Sequence, residues 1–121
     1  MVNEKADIID FSFDKTINLF SNKWKILIIE SLLYEKKRFN ELKRLVRGIS
    51  AKVLTDNLRR LEEEGFVQRN VILEVPVKVE YALTDYGKSL APVIDALTEW
   101  RKMNHTYEVN NSKRSQSEQA V

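Results

Sequence analysis

The stretch GISAKVLTDNLRRLEEEG, residues 48–65, decides the fold of this chain. On a helical wheel of about 100° per residue, Leu54, Leu58 and Leu61 fall on one side. The opposite side and its flanks are polar or charged: Lys52, Thr55, Asp56, Arg59 and Arg60. This pattern predicts a helix with one buried face and one polar face that is available to a partner.

A second, shorter helix precedes it. In FNELKRLV, residues 39–46, one apolar stripe holds Phe39, Leu42, Leu45 and Val46. Gly48 can adopt the left-handed conformation that ends a helix, and Ser50 can cap the next helix two residues later. Two helices joined by so short a turn predict a helix-turn-helix unit.

Further helices are expected on both sides of this unit. Apolar residues at 13, 17 and 20 indicate a short amphipathic helix, and WKILIIESLLYE, residues 24–35, indicates a core helix capped by Asn22 or Ser21. Thr84 can cap a last helix from Asp85. Pro92 lacks a backbone donor, so this helix either kinks there or is separate from the turn at residues 87–90.

Between these helices the pattern changes to that of a β-hairpin. Residues 66–83 are rich in β-branched and aromatic side chains, and residues 77–83 alternate strictly. Two strands joined near residues 74–78 would place Pro76 at the hairpin tip, where its missing donor is tolerated. The expected fold class is mainly α with a small β-hairpin (α+β), a helix-turn-helix followed by a wing.

Composition excludes several functional classes. The 121 residues suit one domain, no cysteine is present, and no apolar run reaches the ~18–20 residues that span a bilayer. The acidic, polar start is unlike a signal peptide, so a cytoplasmic protein without a membrane partner is expected. A lone His105 and the lack of a glycine-rich phosphate loop indicate no enzyme, no catalytic residue, no metal and no cofactor.

Charge is distributed unevenly along the chain. Residues 36–60 contain nine positive and two negative side chains, whereas the whole chain has a net charge of only +2. A basic segment on a helix-turn-helix is typical of a nucleic-acid surface, although a solvated basic face is the alternative.

The second helix of such a unit reads base edges in the major groove of double-stranded DNA. The candidates for base reading are Ser50, Lys52, Thr55, Asp56 and Arg59. The candidates for the DNA backbone are Arg38, Lys43, Arg44, Arg47, Arg60, Arg69 and Lys78.

Alternative roles remain open for Asp56 and for the two cations of the hairpin. The Asp56 carboxylate can accept from a cytosine amino group, orient Lys52 or Arg59, or point away, and the orienting role is favoured. Arg69 and Lys78 can instead pair with a glutamate of the hairpin, which is expected less for Lys78 than for Arg69.

The order of several segments resembles the HxlR-type family of winged helix-turn-helix transcriptional regulators. They are NKWKILII, RFNEL, GISAKVLTDNLRRLEEEGFVQR, EVPVKVEYALTDYGKSL and ALTEW, between Phe11 and about Arg101. The resemblance implies a homodimer held by the first and last helices on a roughly palindromic operator. The recognition helix would cover about residues 50–64 and the wing about residues 67–83. The implied interface candidates are Phe13, Ile17, Phe20, Val93, Ile94, Leu97 and Trp100.

This chain departs from the family pattern in places. Many members use a cysteine, aligned with Phe11, to sense oxidants, and a chain without cysteine cannot do so. Ser21 and Asn22 replace two glycines, and Val77 and Lys78 replace a proline and an arginine. The expected layout is an arm at 1–12, the winged domain with its dimerisation helix at 13–107, and a disordered tail at 108–121.

Two other functions remain open at this point. One is a sensor gated by a small-molecule effector, whose pocket would be lined by Trp24, Phe39, Tyr81 and Trp100, although aromatic residues at this spacing more often simply pack. The other is a dimerisation or interaction module in which DNA contact is secondary.

Overall fold

The computed structural model describes residues 13–106. The predicted arm, residues 1–12, and the predicted tail, residues 108–121, therefore lie outside the described residues. The helices are α1 (13–20), α2 (Lys23–Ser31), α3 (Phe39–Leu45), α4 (Ala51–Glu63), α5 (Asp85–Lys88) and α6 (Ala91–Met103), and the strands are β1 (Val67–Ile72) and β2 (Lys78–Leu83). The chain divides into two compact units, one ending at Ser89 and the other beginning at Leu90.

The predicted turn joins α3 to α4. Gly48 has a φ of +84°, and the Ser50 hydroxyl accepts a hydrogen bond from the Val53 amide over 3.1 Å. The glycine permits the left-handed conformation without a Cβ clash, and the serine satisfies one amide of the new helix. The helix-turn-helix prediction is confirmed.

The apolar core of the first unit lies between α2, α3, α4 and the base of the hairpin. The Leu54, Leu58 and Leu61 stripe of α4 is buried as predicted. The other buried apolar residues of this unit are Ile28, Ile29, Leu32, Leu42, Val46, Ile49, Phe66, Val67 and Leu83. Each such side chain contributes about 1.5–3 kcal/mol on burial, so this cluster anchors α4 from one side and leaves its polar face outside.

Two details of the helices differ from the prediction. Helix α2 ends at Ser31 instead of Glu35, because the chain must leave the helix to reach β2: Lys37 and Tyr81 exchange backbone hydrogen bonds of 2.9 and 2.8 Å. Leu45 is 54% exposed. At about 100° per residue, Leu45 lies on the outer side of Leu42, whereas Val46 lies on the inner side.

The hairpin forms where it was predicted. Strands β1 and β2 are antiparallel, from Val67 opposite Leu83 to Ile72 opposite Lys78, and Pro76 lies in the connection. Alternate residues share a face, so Arg69 and its partner Tyr81 follow the buried pair Val67 and Leu83 on the face towards α4.

The segment after the hairpin resolves the alternatives at Pro92. The Thr84 hydroxyl caps the four-residue α5 by accepting from the Gly87 amide over 3.1 Å, and α6 is a separate helix with Pro92 in its first turn. Gly87 is needed for close packing, because a Cβ there would lie 2.2 Å from the Phe66 carbonyl oxygen. None of the helices within residues 13–106 is long and apolar enough to span a membrane.

Candidate nucleic-acid interface

The polar face of α4 presents most of the predicted base-reading residues to solvent. Ser50, Lys52, Thr55 and Arg59 are exposed, whereas Asp56 is half-buried. The first four lie within about two and a half turns from the N-terminal cap, the part of a recognition helix that reaches base edges.

Hydrogen bonds inside the helix decide what the two hydroxyls can offer. The Thr55 hydroxyl donates to the Ala51 carbonyl over 2.8 Å, so towards a partner it presents oxygen lone pairs and a methyl group. The Ser50 oxygen already accepts from an amide, so this residue presents its hydroxyl hydrogen. The two residues therefore differ in the base edges they can match.

Asp56 forms no ion pair with the two neighbours that it was expected to orient. Among residues 13–106, the ion pairs include none from Asp56 to Lys52 or Arg59. The ion pair expected from the favoured interpretation of Asp56 is therefore absent in the free chain, and its role beside DNA stays a prediction. Lys52 and Arg59 are left without an internal counter-charge.

The predicted backbone cations are mostly exposed and unpaired. Of the nine candidate cations, eight are exposed and make no ion pair within residues 13–106. These eight are Arg38, Lys43, Arg44, Arg47, Lys52, Arg59, Arg60 and Arg69. Uncompensated charge of one sign raises the local potential and attracts a polyanion.

Lys78 is the exception among the nine. Its ammonium lies 3.3 Å from the Glu74 carboxylate, and the other acid of the hairpin, Glu80, pairs with Lys36 at 3.1 Å. The expectation that Arg69 pairs sooner than Lys78 is thus reversed. The hairpin tip is electrically neutral, and the cation that the wing offers without breaking an ion pair is Arg69.

A groove between α4 and the hairpin brings candidates of both kinds together. We call it the wing groove; it has a volume of about 330 Å³ and is lined by Thr55, Leu58, Arg59, Glu62, Arg69 and Tyr81. Arg59 was a candidate for base reading and Arg69 a candidate for the backbone, so the groove is lined by one candidate of each kind. Glu62 is the one acid among the lining residues.

Two contacts that position this face were not predicted from the sequence. Asn57 is buried, and its side-chain oxygen accepts from the Asn22 side-chain amide over 3.2 Å. Lys25 of α2 forms an ion pair with Glu64 at the end of α4. The only sequence signal was the position of Asn57 at the margin of the apolar stripe, which does not name a partner 35 residues away.

Most of the residues predicted for a dimer interface are exposed to solvent. Phe13 and Ile17 on α1 and, within the second unit, Val93, Leu97 and Trp100 on α6 are exposed. Phe20 is half-buried. Ile94 is only 4% exposed, so it contributes little surface to a partner.

The structure gives the surroundings of two of the four aromatic residues suggested for an effector pocket. Tyr81 lines the wing groove, and the Lys23 ammonium lies 4.5 Å from the centroid of a Trp24 ring. A second cavity, beside the end of α2 and the base of the hairpin, has a volume of about 180 Å³. Ligand pockets usually have about 300–1,000 Å³. Residues 13–106 contain no group of three His, Asp or Glu side chains placed to hold a metal ion.

Comparisons with known proteins agree with this geometry. A family model described as an HxlR-like helix-turn-helix matches residues 19–109. The HTH-type transcriptional regulator YtcD of Bacillus subtilis (strain 168) is 41% identical over 112 residues, which cover 93% of this chain and 88% of the relative. An uncharacterized HTH-type transcriptional regulator of Methanothermobacter thermautotrophicus is 40% identical over 104 residues, 86% of this chain and 79% of the relative.

Solved structures show the same fold. The redox regulator HypR in its reduced form is similar with a TM-score of 0.74 and 36% identity, covering 82% of this chain and 98% of that one. A transcriptional regulator of the MarR family from Porphyromonas gingivalis W83 is similar with a TM-score of 0.71 and 37% identity, covering 76% and 90%. The winged helix-turn-helix prediction is therefore confirmed at the level of the fold.

Proposed function

Since the chain belongs to the HxlR-like helix-turn-helix family of transcriptional regulators, as its resemblance predicted, we propose that it binds an operator in double-stranded DNA as a homodimer. In this proposal α4 enters the major groove and the β1–β2 wing contacts the sugar-phosphate backbone or the adjacent minor groove. In this proposal the protein regulates transcription and catalyses no reaction.

The observation that carries the proposal is the set of eight exposed cations that form no ion pair within residues 13–106. Burying or pairing these groups would be the usual way to lower their mutual repulsion, and the chain leaves them uncompensated around a single helix-turn-helix. Neutralising phosphates releases condensed counterions, which supplies much of the binding free energy of such surfaces.

The wing groove supports different roles for its two arginines: Arg59 contacts bases and Arg69 contacts the DNA backbone. Arg59 extends from α4 and Arg69 from β1 into the same groove, so a duplex lying against α4 brings its backbone to Arg69. Guanidinium groups bind phosphate or guanine edges with two parallel hydrogen bonds. Lys78 contributes only after its ion pair with Glu74 opens.

Exposed apolar residues support the homodimer. On α6, Val93, Leu97 and Trp100 follow one another at intervals of four and three residues, and Trp100 is 60% exposed. A contiguous apolar stripe of this kind is costly in water unless a partner covers it. A second copy of the chain is the occupant we propose. In the first unit, Phe13 and Ile17 of α1 are exposed as well, and we propose them as further contacts with the second copy.

Selection of bound duplexes from a random pool tests the function, and the salt dependence of binding tests its mechanism. A dimer should yield two half-sites separated by about 10 base pairs or a multiple of that. Replacing Arg44 with glutamine should flatten the plot of log affinity against log salt by about 0.9. The matched control is Lys88→Gln, at an exposed lysine of α5 outside the candidate set, which should leave the slope unchanged.

Two results would contradict the proposal. The first is a pool that yields no enriched sequence, or an affinity independent of salt. The second is a sedimentation mass that stays at the 14.2 kDa of one chain at concentrations where DNA binds. A charged replacement, Trp100→Glu, should shift the unmodified dimer towards this monomer mass and weaken operator binding with it.

A further inference from the structure

One buried polar side chain interrupts the apolar face of α4. Asn57 is 6% exposed and is the only polar residue in the buried class among residues 13–106. Its side-chain nitrogen donates to the Val53 carbonyl over 2.8 Å, and its oxygen accepts from the Asn22 side-chain nitrogen over 3.2 Å. Both ends of the amide are therefore satisfied, and the second bond reaches a different helix.

Both polar atoms of the Asn22 side chain also form hydrogen bonds. Its side-chain oxygen accepts from the Trp24 and Lys25 amides over 3.1 and 3.4 Å and so caps α2. Only the nitrogen remains for Asn57, which fixes the orientation of the whole side chain. We call the pair the amide bridge.

A second tie joins the same two helices. The Lys25 side chain is only 13% exposed and forms an ion pair with Glu64, the residue after the last turn of α4. The first turn of α2 thus holds α4 at its middle, through Asn57, and at its end, through Glu64.

These ties differ in kind from the leucine contacts of α4. Apolar packing is non-directional and tolerates small rotations of a helix, whereas a hydrogen bond weakens steeply once its distance or angle changes. The surface of a helix lies about 5–6 Å from its axis, so a rotation of about 20° moves a group on the polar face by about 2 Å. A displacement of that size separates a side chain from the base edge it would contact.

We propose that Asn22 and Asn57 are positioning residues that set the rotation of α4 about its axis, so that discrimination between operator sequences depends on two side chains that touch no DNA. The inference rests on the proposed function and deepens it. Non-specific attraction to phosphates does not depend on the rotation of α4, because flexible side chains supply it. The bridge therefore acts on the ratio of specific to non-specific affinity.

The test uses variants of the full chain that remove the bridge in different ways. Asn22→Ser keeps the oxygen that caps α2 but is too short to reach Asn57. Asn57→Leu replaces the buried amide with an apolar side chain that has the same number of heavy atoms and a branch at the same position, which leaves no buried side-chain polar atom at this position of α4. The double variant completes the cycle. Ile28→Val is the control, because it shrinks a fully buried side chain of α2 and leaves both ties in place.

Affinities are measured for the selected operator and for a scrambled duplex of the same length, together with the melting temperature of each variant. We expect the ratio of the two affinities to fall about tenfold in each bridge variant, as for the loss of one good base contact. The scrambled duplex should bind as before, with an unchanged salt slope. The double variant should lose no more than the single ones, because all three remove the same bridge.

Two outcomes overturn the inference and are distinct from a failure of the proposed function. A folded Asn57→Leu variant that keeps its affinity ratio within twofold shows that the bridge does not position α4. An equal fall in Ile28→Val shows that lower stability alone explains the effect. If the unmodified chain selects no duplex, the proposed function fails and the inference falls with it.

Discussion

The ion pair between Lys78 and Glu74 at the wing tip predicts that a single substitution can raise the affinity for DNA. Replacing Glu74 with glutamine removes the partner that holds the Lys78 ammonium at 3.3 Å, and it deletes one negative charge from the wing. An exposed pair of this kind contributes only about 0–1 kcal/mol to folding, so the variant should remain folded. The freed lysine can then neutralise one phosphate.

The magnitude follows from counterion release. One additional phosphate contact makes the slope of log affinity against log salt more negative by about 0.9. Between 200 and 50 mM salt this amounts to an additional gain in affinity of about 3.5-fold for Glu74→Gln over the unmodified chain. Titration of a labelled operator at four or five salt concentrations resolves this difference.

Two variants separate the local effect from a change in overall charge. Adding Lys78→Gln to Glu74→Gln should return the slope to that of the unmodified chain, because the freed cation is gone. Glu99→Gln makes the same charge change on α6 by breaking a looser pair, 4.0 Å from Lys102, and should leave the slope unaltered. The reasoning is refuted if Glu74→Gln leaves the slope unchanged or if Glu99→Gln changes it equally.

Three further predictions concern stability. Gly87→Ala should lower the free energy of unfolding by about 2–3 kcal/mol, since its Cβ would overlap a backbone oxygen at 2.2 Å. Gly48→Ala, with nothing within 4 Å of the added Cβ, should cost only the ~1–2 kcal/mol of the left-handed conformation, and equal losses in urea titrations would count against the packing argument. Ser50→Ala should cost about 1 kcal/mol through the lost cap of α4, and unchanged thermal unfolding would contradict this. The hydrogen bond and charge of Lys37 lower the pKa of Glu35 from its ordinary 4.5. The pair therefore stabilises the fold above pH 4.5, and this stabilisation is lost as the pH falls through the lowered pKa. Glu35→Gln should lower the melting temperature at pH 7 but not at pH 2, and an equal effect at both pH values would disprove the pairing.

Local sequence patterns were sufficient for most of the fold. The stripe of Leu54, Leu58 and Leu61, the Gly48 turn and the Ser50 cap involve residues within a few positions of one another, and each occurs where the pattern placed it. The hairpin followed from strict alternation and from the position of Pro76. Such features are encoded locally, because periodicity and capping chemistry depend on neighbours along the chain.

Contacts between distant parts of the chain could not be predicted in the same way. The early end of α2 depends on Lys37 pairing with the backbone of Tyr81, 44 positions away. The amide bridge likewise needs the arrangement of α2 against α4 before Asn22 has a partner. A polar residue at the edge of an apolar stripe indicates an exposed position by composition alone, and only tertiary packing reveals that Asn57 is buried.

The exposure of the candidate cations was predicted better than their ion pairing. The cations of α3 and α4 are exposed, but Asp56 forms no ion pair with Lys52 or Arg59, and Lys78, not Arg69, pairs with a glutamate of the hairpin. Ion pairing between surface groups is decided by less than about 1 kcal/mol, so spacing along a helix or hairpin is a weak guide to which pair forms.

The difference between lysine and arginine explains why the candidate interface nevertheless keeps unpaired positive charge. The ion pairs described in the first unit are made by lysines: Lys25, Lys36, Lys37 and Lys78. The arginines of the same unit, Arg38, Arg44, Arg47, Arg59, Arg60 and Arg69, make none. A guanidinium is less strongly hydrated than an ammonium and binds phosphates through a planar fork. Four lysines thus neutralise four glutamates of the fold while these six arginines keep their charge unpaired, so a net charge of only +2 conceals an uncompensated basic surface, as the proposed DNA binding requires.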